Sequence, residues 1–581
     1  MSSHRKSDGK KPASLERRVR EFERHVVEKI DVRDTHSARK AAKRTWLIEL
    51  KSVVIWCGLW LLLTLAALFA RGAWPFDETR VLGIAWEMWS QHRFAAPVLN
   101  GEPQLYPPLF FWLVHLGWLA FGVSEWWARL VGPIGALTSL FLVQRVARLL
   151  WHSEQEVARY APLIMLGMLA LALMVGTTSP DTWTLALVLL SYWGLLIRWR
   201  GDMRAWIMFG VGLGFGALNA GLIVLAYVLP VALVAPLWAR APRPQWKYWY
   251  VDLFKSLALA AALFGVWLAA AGAAEGTPYV VRLLAHAWDG TPLALFARQQ
   301  PWWWYALLAP VAFLPWSVMP LVWMRLWYIR REPMEDGFVL CLLWIVLSLL
   351  VLSVLPVKQA QFLLPLLPAG ALLTARLLFG RALLTVYQDK ALAGMAVPLL
   401  ILGGVQMALP RLPRVPFLPA LLWEQSSLLG LAIMGIGIAS AWLPLKDVRR
   451  RVSDISALCT MLVVFVVIGV ASQFDKLYPV SQAGQVMAQI QARGQPLAHV
   501  GEYRGEFQFA ARLATPLAIV GPAYAERWAA EHPTGVLIAY LDAWQPRFSD
   551  GSAPLFDAPF QDGRLRFYSA QQILASPRTG N

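Results

Sequence analysis

Two carboxylates, two cations and a tyrosine, set at the ends of apolar segments, are the residues of this chain best suited to chemistry. The run Phe76-Asp77-Glu78-Thr79-Arg80 follows directly on the first long apolar segment. Ionisable side chains near lipid are costly unless they face a cavity, so a cluster at that depth marks a site. The structural alternative is an interfacial turn that moors the helix. Ser179-Pro180-Asp181 puts a second acid at a helix end, and Pro356-Val357-Lys358-Gln359 puts a cation at another. A carboxylate can take or orient a hydroxyl proton. Arginine matches phosphate oxygens bidentately, and lysine adds compact charge. The first loop continues through Glu87, His92, Arg93 and Asn100-Gly101-Glu102-Pro103-Gln104-Leu105-Tyr106-Pro107-Pro108. A later loop, 274–303, carries His286, Asp289 and Arg298.

The elements that must position these residues are membrane helices. The chain is 57% hydrophobic and 15% charged, with 31 tryptophans, which places it among polytopic membrane proteins. A span needs roughly 20 apolar residues, and about thirteen segments qualify or nearly so. They lie near 52–70, 128–149, 161–177, 183–197, 205–221, 222–238, 256–273, 303–323, 338–355, 361–379, 391–409, 420–443 and 455–472. Lys and Arg concentrate in the tail before residue 52 and in alternate loops, which predicts a cytoplasmic N-terminus and a C-terminal domain on the outer side. Arg411 and Arg414 run against that bias. A long charged tail precedes the first apolar run, so no cleavable signal peptide is expected. Cys57, Cys341 and Cys459 all fall inside expected spans, which argues against a disulfide framework or a zinc-type cysteine site. The net charge of +17 comes largely from the tail and the basic loops, so it reads as topology and anionic-lipid contact, not nucleic-acid binding.

Three regions follow: a basic tail over 1–51, a transmembrane domain over 52–474 with its first outer loop at 71–127, and an α/β domain over 475–581. In the tail, Leu15, Val19, Phe22, Val26 and Ile30 recur at helical spacing among arginines, as in a helix lying on an anionic leaflet or in a solvated arm. The apolar stretch from Leu109 to Phe121 is too short to span, so a helix along the interface is expected. In the last region, 482–492 reads as helix and 497–500, 517–520 and 536–540 as strands. Glu502 and Arg504 follow the first of these, and His499 reads as a strand residue with a hydrogen-bond partner.

The ordered run "FDETR", "APVLNGEPQLYPPLFFWLVHLGWLAFGVSEWWARL", "TTSPDTWTLAL", "WWWYALLAPVAFLPW" and "SVLPVKQAQFLLPLLPA" resembles the GT-C glycosyltransferases. The resemblance is to the branch of lipid A aminoarabinose transferases and protein mannosyltransferases. It implies an all-α polytopic fold of about thirteen spans, with interfacial helices in the first outer loop and a small α/β outer C-terminal domain. It also implies inverting transfer of a sugar from a polyprenyl (undecaprenyl) phosphate carrier to lipid A or another envelope acceptor, at the outer face of the bacterial inner membrane. Carried over, Asp77 and Asp181 take the catalytic positions, and Arg80 and Lys358 hold the carrier phosphate. A divalent metal ion is the one cofactor implied, with His286 and Glu102 as candidate ligands.

Two departures stand against full correspondence. Leu105-Tyr106 occupies the place of a charged pair before Pro-Pro-Leu, and Asn219-Ala220-Gly221 stands where the family has a Thr-Lys-Gly motif. Two expected cations are thus absent, and Tyr106 is left to donate a hydrogen bond to the carrier phosphate. The alternative to an enzyme is a degenerate homologue that binds a polyprenyl lipid or serves an accessory role.

Overall fold

The computed structural model describes residues 49–285, 298–329, 334–355, 357–380, 396–413, 427–442, 448–540, 553–560 and 563–575. Residues 1–48 of the basic tail, His286, Asp289 and Arg414 lie outside them. The described chain is a helical membrane protein. Eight of its helices are long and apolar enough to cross a membrane: Glu49–Ala70, Glu125–Leu150, Asp181–Trp199, Ala205–Leu233, Trp246–Glu275, Asp336–Val354, Ala360–Phe379 and Val448–Ala471. The pair Gln155–Leu166 and Leu169–Val175, bent by 66°, makes a ninth if it counts as one span.

Proline and glycine account for most of the difference from the expected segments. The segments 205–221 and 222–238 fall largely within one 29-residue stretch, interrupted by a 3-10 turn at Gly221–Ile223. The segment 303–323 is divided into Trp304–Ala312, a 3-10 turn at Trp316–Val318 and Pro320–Ile329. Pro310, Pro315 and Pro320 punctuate it, and a proline removes a helix donor and crowds the preceding turn. Shorter apolar helices, Leu399–Arg411 and Ser427–Ala439, mark the segments 391–409 and 420–443.

Small residues allow close helix contact where the turn at 176–181 passes the bundle. A Cβ on Gly132 would lie 2.3 Å from the Thr177 carbonyl oxygen, and one on Gly176 would lie 2.5 Å from the Ala67 methyl. The hydroxyl of Thr182 donates to the Gly132 carbonyl at 2.7 Å and the Trp183 indole to that of Val131 at 2.8 Å. These contacts fix the start of the Asp181–Trp199 helix against Glu125–Leu150.

The first loop forms two helices, Glu78–Ser90 and Leu109–Phe121, around a two-stranded hairpin of β1 (Val98–Leu99) and β2 (Glu102–Pro103). The 13-residue length expected for the second helix is what forms. Val81, Leu82, Ala85 and Met88 pack against Phe110, Val114 and Trp118 in a shared core that also takes in Phe509. Glu87 is buried and accepts hydrogen bonds from the backbone N–H groups of Asn100 and Gly101, both at 2.6 Å, and from the Gln508 amide at 3.1 Å. Asn100 in turn donates to the Leu517 carbonyl at 3.0 Å. One glutamate therefore ties the hairpin, its helix and the C-terminal domain together.

A second two-stranded pairing, β3 (Arg298–Gln299) with β4 (Val357–Lys358), brings the loop before Trp304 beside Lys358. After the last long helix, Val448–Leu477, the chain forms the helix Val480–Ala492 and a five-stranded sheet. Its strands are β5 (Leu497–Val500), β6 (Ala518–Val520), β7 (Val536–Tyr540), β8 (Phe556–Phe560) and β9 (Gly563–Ser569), in the order β6-β5-β7-β9-β8. The first three are parallel, and the β8–β9 hairpin adds antiparallel pairs. Helix 482–492 and all three expected strands form to within two residues.

His499 departs from expectation. It is buried, and neither ring nitrogen meets a partner in normal hydrogen-bond geometry among the described residues. Its ring lies instead against Tyr503 and Tyr540, with centroids 5.3 and 5.1 Å away. Burial lowers its pKa to about 4, so the imidazole is neutral in its aromatic surroundings.

Replacing Glu87 by alanine strands two backbone donors and the Gln508 amide, and each unsatisfied buried group costs about 1–3 kcal/mol. The expected outcome is a melting temperature several degrees lower in detergent, measured by fluorescence-detected size exclusion. An unchanged melting temperature would show that water replaces the carboxylate without loss.

Candidate functional site

Four segments distant in sequence line one cavity of about 620 Å³. The first loop supplies Asp77 and Glu78, the turn 176–181 supplies Ser179 and Asp181, and the loop before the Ala360–Phe379 span supplies Lys358 and Gln359. The end of the first span supplies Arg71. Trp304 joins them. The rest of the wall is apolar, with Leu63, Ala66, Leu173, Val463, Val467 and Val470 contributed by three transmembrane segments.

Asp77 caps the Glu78–Ser90 helix from outside, makes no side-chain capping bond, and is exposed at the cavity. Partial burial raises its pKa, the Glu78 charge adds to that, and Arg80 opposes both. Glu78, one residue on, lies in a different environment. It is 3% exposed and accepts two hydrogen bonds from the Arg71 guanidinium, at 2.6 and 2.8 Å. It also accepts from the backbone N–H groups of Trp74 and Thr178, each at 2.9 Å. Burial pushes this carboxyl up, but the Arg71 charge and hydrogen bonds outweigh that and leave its pKa below the usual glutamate value. Arg71 donates as well to the Gly176 carbonyl at 2.8 Å. It follows the first apolar run directly, and a buried guanidinium at a span's end was the available signal for it.

Asp181 is the first residue of its span, and the Ser179 hydroxyl donates to its carboxylate at 2.9 Å. Asn219 is buried behind it and donates to the Pro180 carbonyl at 2.8 Å and to the Thr184 hydroxyl at 2.9 Å. The Asn219 amide is thus committed to holding the turn that presents Asp181. Lys358 is 3% exposed and its ammonium donates to the carbonyls of Leu355 and Gln300, at 2.6 and 3.1 Å. Burial lowers its pKa.

Arg80 and Tyr106 lie beside the cavity, outside its lining. The Arg80 guanidinium donates to the Gln104 side chain at 3.1 Å and sits 6.0 Å from the Tyr106 ring centroid. The buried Tyr106 hydroxyl and the Arg80 Nε have no hydrogen-bond partner among the described residues. Two unused buried donors in this region suit an oxyanion.

Glu102 is exposed on β2 and takes no part in the cavity lining. Among the described residues, no three His, Cys, Asp or Glu side chains converge closely enough to hold a metal ion, and His286 lies outside those residues.

A long apolar bundle that gathers two acids and a lysine at one end, under a small sheet domain, has the GT-C architecture. The structure superposes on the crystal structure of ArnT from Cupriavidus metallidurans bound to undecaprenyl phosphate with a TM-score of 0.72, covering 90% of this chain and 99% of that one at 17% identity. The chain has the GT-C fold and is similar in sequence to aminoarabinose transferases and, in part, to protein mannosyltransferases. Residues 106–267 match the family model for dolichyl-phosphate-mannose-protein mannosyltransferase. An undecaprenyl phosphate-alpha-4-amino-4-deoxy-L-arabinose arabinosyl transferase of Pseudomonas aeruginosa is 29% identical over 69% of this chain and 70% of its own length. Its Pseudomonas fluorescens counterpart is 28% identical over 58% of this chain and 60% of its own. The sequence matches thus cover about 60 to 70% of these relatives' lengths.

In the loop that faces the first loop from the C-terminal domain, Glu506 is 1% exposed and burial pushes its carboxyl up to about 7. The folded state binds this proton more tightly than the unfolded one. Its contribution to stability is therefore full below the ordinary value of 4.5 and is lost as pH rises through about 7. His499 acts in the opposite sense over part of that range, because its folded pKa is lowered. The difference in stability between wild type and Glu506→Gln isolates the carboxyl and should fall steadily over that window. A difference that does not change with pH would show that Glu506 titrates normally.

Proposed function

We propose that this protein transfers a sugar from a polyprenyl phosphate carrier to lipid A or a related envelope acceptor at the outer face of the bacterial inner membrane. The observation that carries the reading is the convergence of Asp77, Asp181 and Lys358 on one cavity whose remaining wall is apolar. A polyprenyl chain suits the apolar wall, and the headgroup suits the charged end. The relatives named for undecaprenyl-phosphate-linked aminoarabinose support that donor class.

In this reading an acceptor oxygen attacks the anomeric carbon from the face opposite the phosphate. The carbon–oxygen bond to the carrier breaks with inversion, and the carrier leaves as its phosphate. If the acceptor is a hydroxyl, Asp77 takes its proton, for which a raised pKa is favourable. If the acceptor is itself a phosphate, no proton is removed and Asp77 orients the sugar. Asp181, fixed by Ser179, is the second acid at the reacting centre. Lys358 receives the charge developing on the leaving phosphate, and Arg80 and the Tyr106 hydroxyl add donors just outside the lining.

One observation favours a second reading, a lipid-binding homologue without transfer. Ala220 stands at the position matched to the lysine of the Thr-Lys-Gly motif, and the neighbouring Asn219 spends its amide donors on Pro180 and Thr184, so neither offers the carrier phosphate a cation. The two readings separate on Asp77→Asn, which keeps shape and removes charge. Transfer measured with polyprenyl-phosphate sugars and envelope acceptors should fall by roughly 10²–10⁴-fold with carrier affinity nearly unchanged. No wild-type transfer that the substitution abolishes would favour the binder. Lys358→Ala should weaken carrier binding by about ten- to a hundredfold, since a charged hydrogen bond contributes about 1.5–3 kcal/mol.

The orientation has its own check. Arg198 pairs with Asp252, and Arg376 with Glu154 and Glu335, at the helix ends remote from the cavity. This basic end is assigned to the cytoplasm. A cysteine replacing exposed Trp302 should react with an impermeant thiol reagent added to intact spheroplasts, and one replacing exposed Arg243 should not. The reverse labelling would overturn the outer-face site.

A further inference from the structure

Phe76, immediately before Asp77, has φ of +70°. Side chains other than glycine rarely occupy that region, and a bulky residue there persists only when its surroundings over-determine it. The surroundings here come from the C-terminal domain. The Phe76 ring meets Phe560 of β8 edge-on at 6.0 Å and 87°, and Tyr478 at 6.5 Å and 90°. Phe560 and Tyr478 also meet each other at 5.3 Å. The Arg504 guanidinium, from the loop after β5, lies 5.8 Å from the Phe76 centroid. Phe76 packs onto the same apolar cluster as Ile538, Leu565 and Phe567, the domain's own core.

On the other side of Asp77 the chain is held by the bundle, through the bonds of Glu78 to Arg71 and to the Thr178 N–H. Asp77 thus sits between a ring fixed by the sheet domain and a carboxylate fixed by the transmembrane domain. We propose that the C-terminal domain sets the position of Asp77 by clamping the Phe76 ring, and that Phe76 is a positioning residue for the transfer reaction. Without the ring contacts, the positive φ is held only by the turn that the Glu78 and Thr79 N–H groups close on the Trp74 carbonyl, and φ can relax toward the negative region. That rotation turns the following peptide and moves the Asp77 carboxylate relative to Asp181. The role in transfer rests on the function proposed above, whereas the clamp itself does not.

The test uses the full-length protein in nanodiscs and two readouts. For Phe76→Ala, hydrogen–deuterium exchange of the 72–78 peptide should rise severalfold while exchange of β5 and β7 stays unchanged. Turnover should fall about ten- to a hundredfold, as a misplacement of roughly 1 Å can cause, with the carrier KM nearly unchanged. Phe76→Tyr, which keeps the ring edges, should restore both. If the alanine variant disturbs β5 or β7, Phe76→Leu replaces it, since leucine keeps apolar volume but not the aromatic edges. Unchanged exchange at 72–78 overturns the clamp, and raised exchange with unchanged turnover overturns its part in catalysis. If wild type transfers no sugar, the function proposed above falls, and the exchange result alone decides the clamp.

Discussion

The ion pair of Arg71 and Glu78 is the contact on which the arrangement of the cavity depends. It joins the end of the first span, the start of the first loop and the turn at 176–178, three segments with no local reason to meet. Glu78 accepts four hydrogen bonds and Arg71 donates onward to Gly176. Taking both charges out of water is costly, and the pair is tolerated because nearly all its hydrogen-bonding capacity is met. Removing either partner would leave an uncompensated buried charge, at about 3–5 kcal/mol. The pair's catalytic relevance lies in its neighbours. Asp77 precedes Glu78 and Asp181 follows Thr178 by three residues, so the bond that joins the two segments also brings the two acids to one cavity.

The same pair explains why adjacent acids behave differently. Glu78 is ionised because a guanidinium and two backbone amides solvate its charge. Asp77 lacks such partners, and partial burial beside that charge makes it easier to protonate. Environments that push neighbouring carboxyls apart are how one site obtains a structural anion and a reactive acid from similar side chains. The division of labour is visible only in three dimensions. In the sequence Asp77 and Glu78 are simply two acids in a row.

That limit runs through the comparison of sequence and structure. Elements set by periodicity or length were legible: the long apolar spans, the 13-residue Leu109–Phe121 helix, helix 480–492, and strands β5, β6 and β7. The hairpin β8–β9 was not expected, because Pro559 in one strand and alternating arginines in the other give no plain apolar rhythm. Asp77, Asp181 and Lys358 were each found as charge at a span's end, a local signal. Arg71 sits in the same kind of place but was passed over, since its partners are seven and about a hundred residues away. Phe76 gave no signal either, because an aromatic residue before an acidic cluster is unremarkable until its φ and its neighbours from the sheet domain are known. His499 was legible as a strand residue, whereas its packing against Tyr503 and Tyr540 shows only in three dimensions.

The charge balance of the cavity follows from these assignments. Arg71 and Glu78 cancel, so the groups left to meet a ligand are Asp77, Asp181 and Lys358, two carboxyls against one ammonium. Ala220, at the position matched to the lysine of the Thr-Lys-Gly motif, supplies no cation, and the Asn219 amide beside it holds Pro180 and Thr184 and contributes order without charge. An anionic headgroup entering here meets less repulsion if one carboxyl holds a proton or if the transferred group carries a positive charge of its own. The upward shift of Asp77 lowers the cost of the first route. Arg80, about one helical turn from Asp77 and with its guanidinium 6.0 Å from the Tyr106 ring centroid, adds cationic character just outside the lining. With two carboxyls against one ammonium in the lining, the placement of Asp77, and so the contacts of Phe76, bears directly on the charge an anionic headgroup would meet.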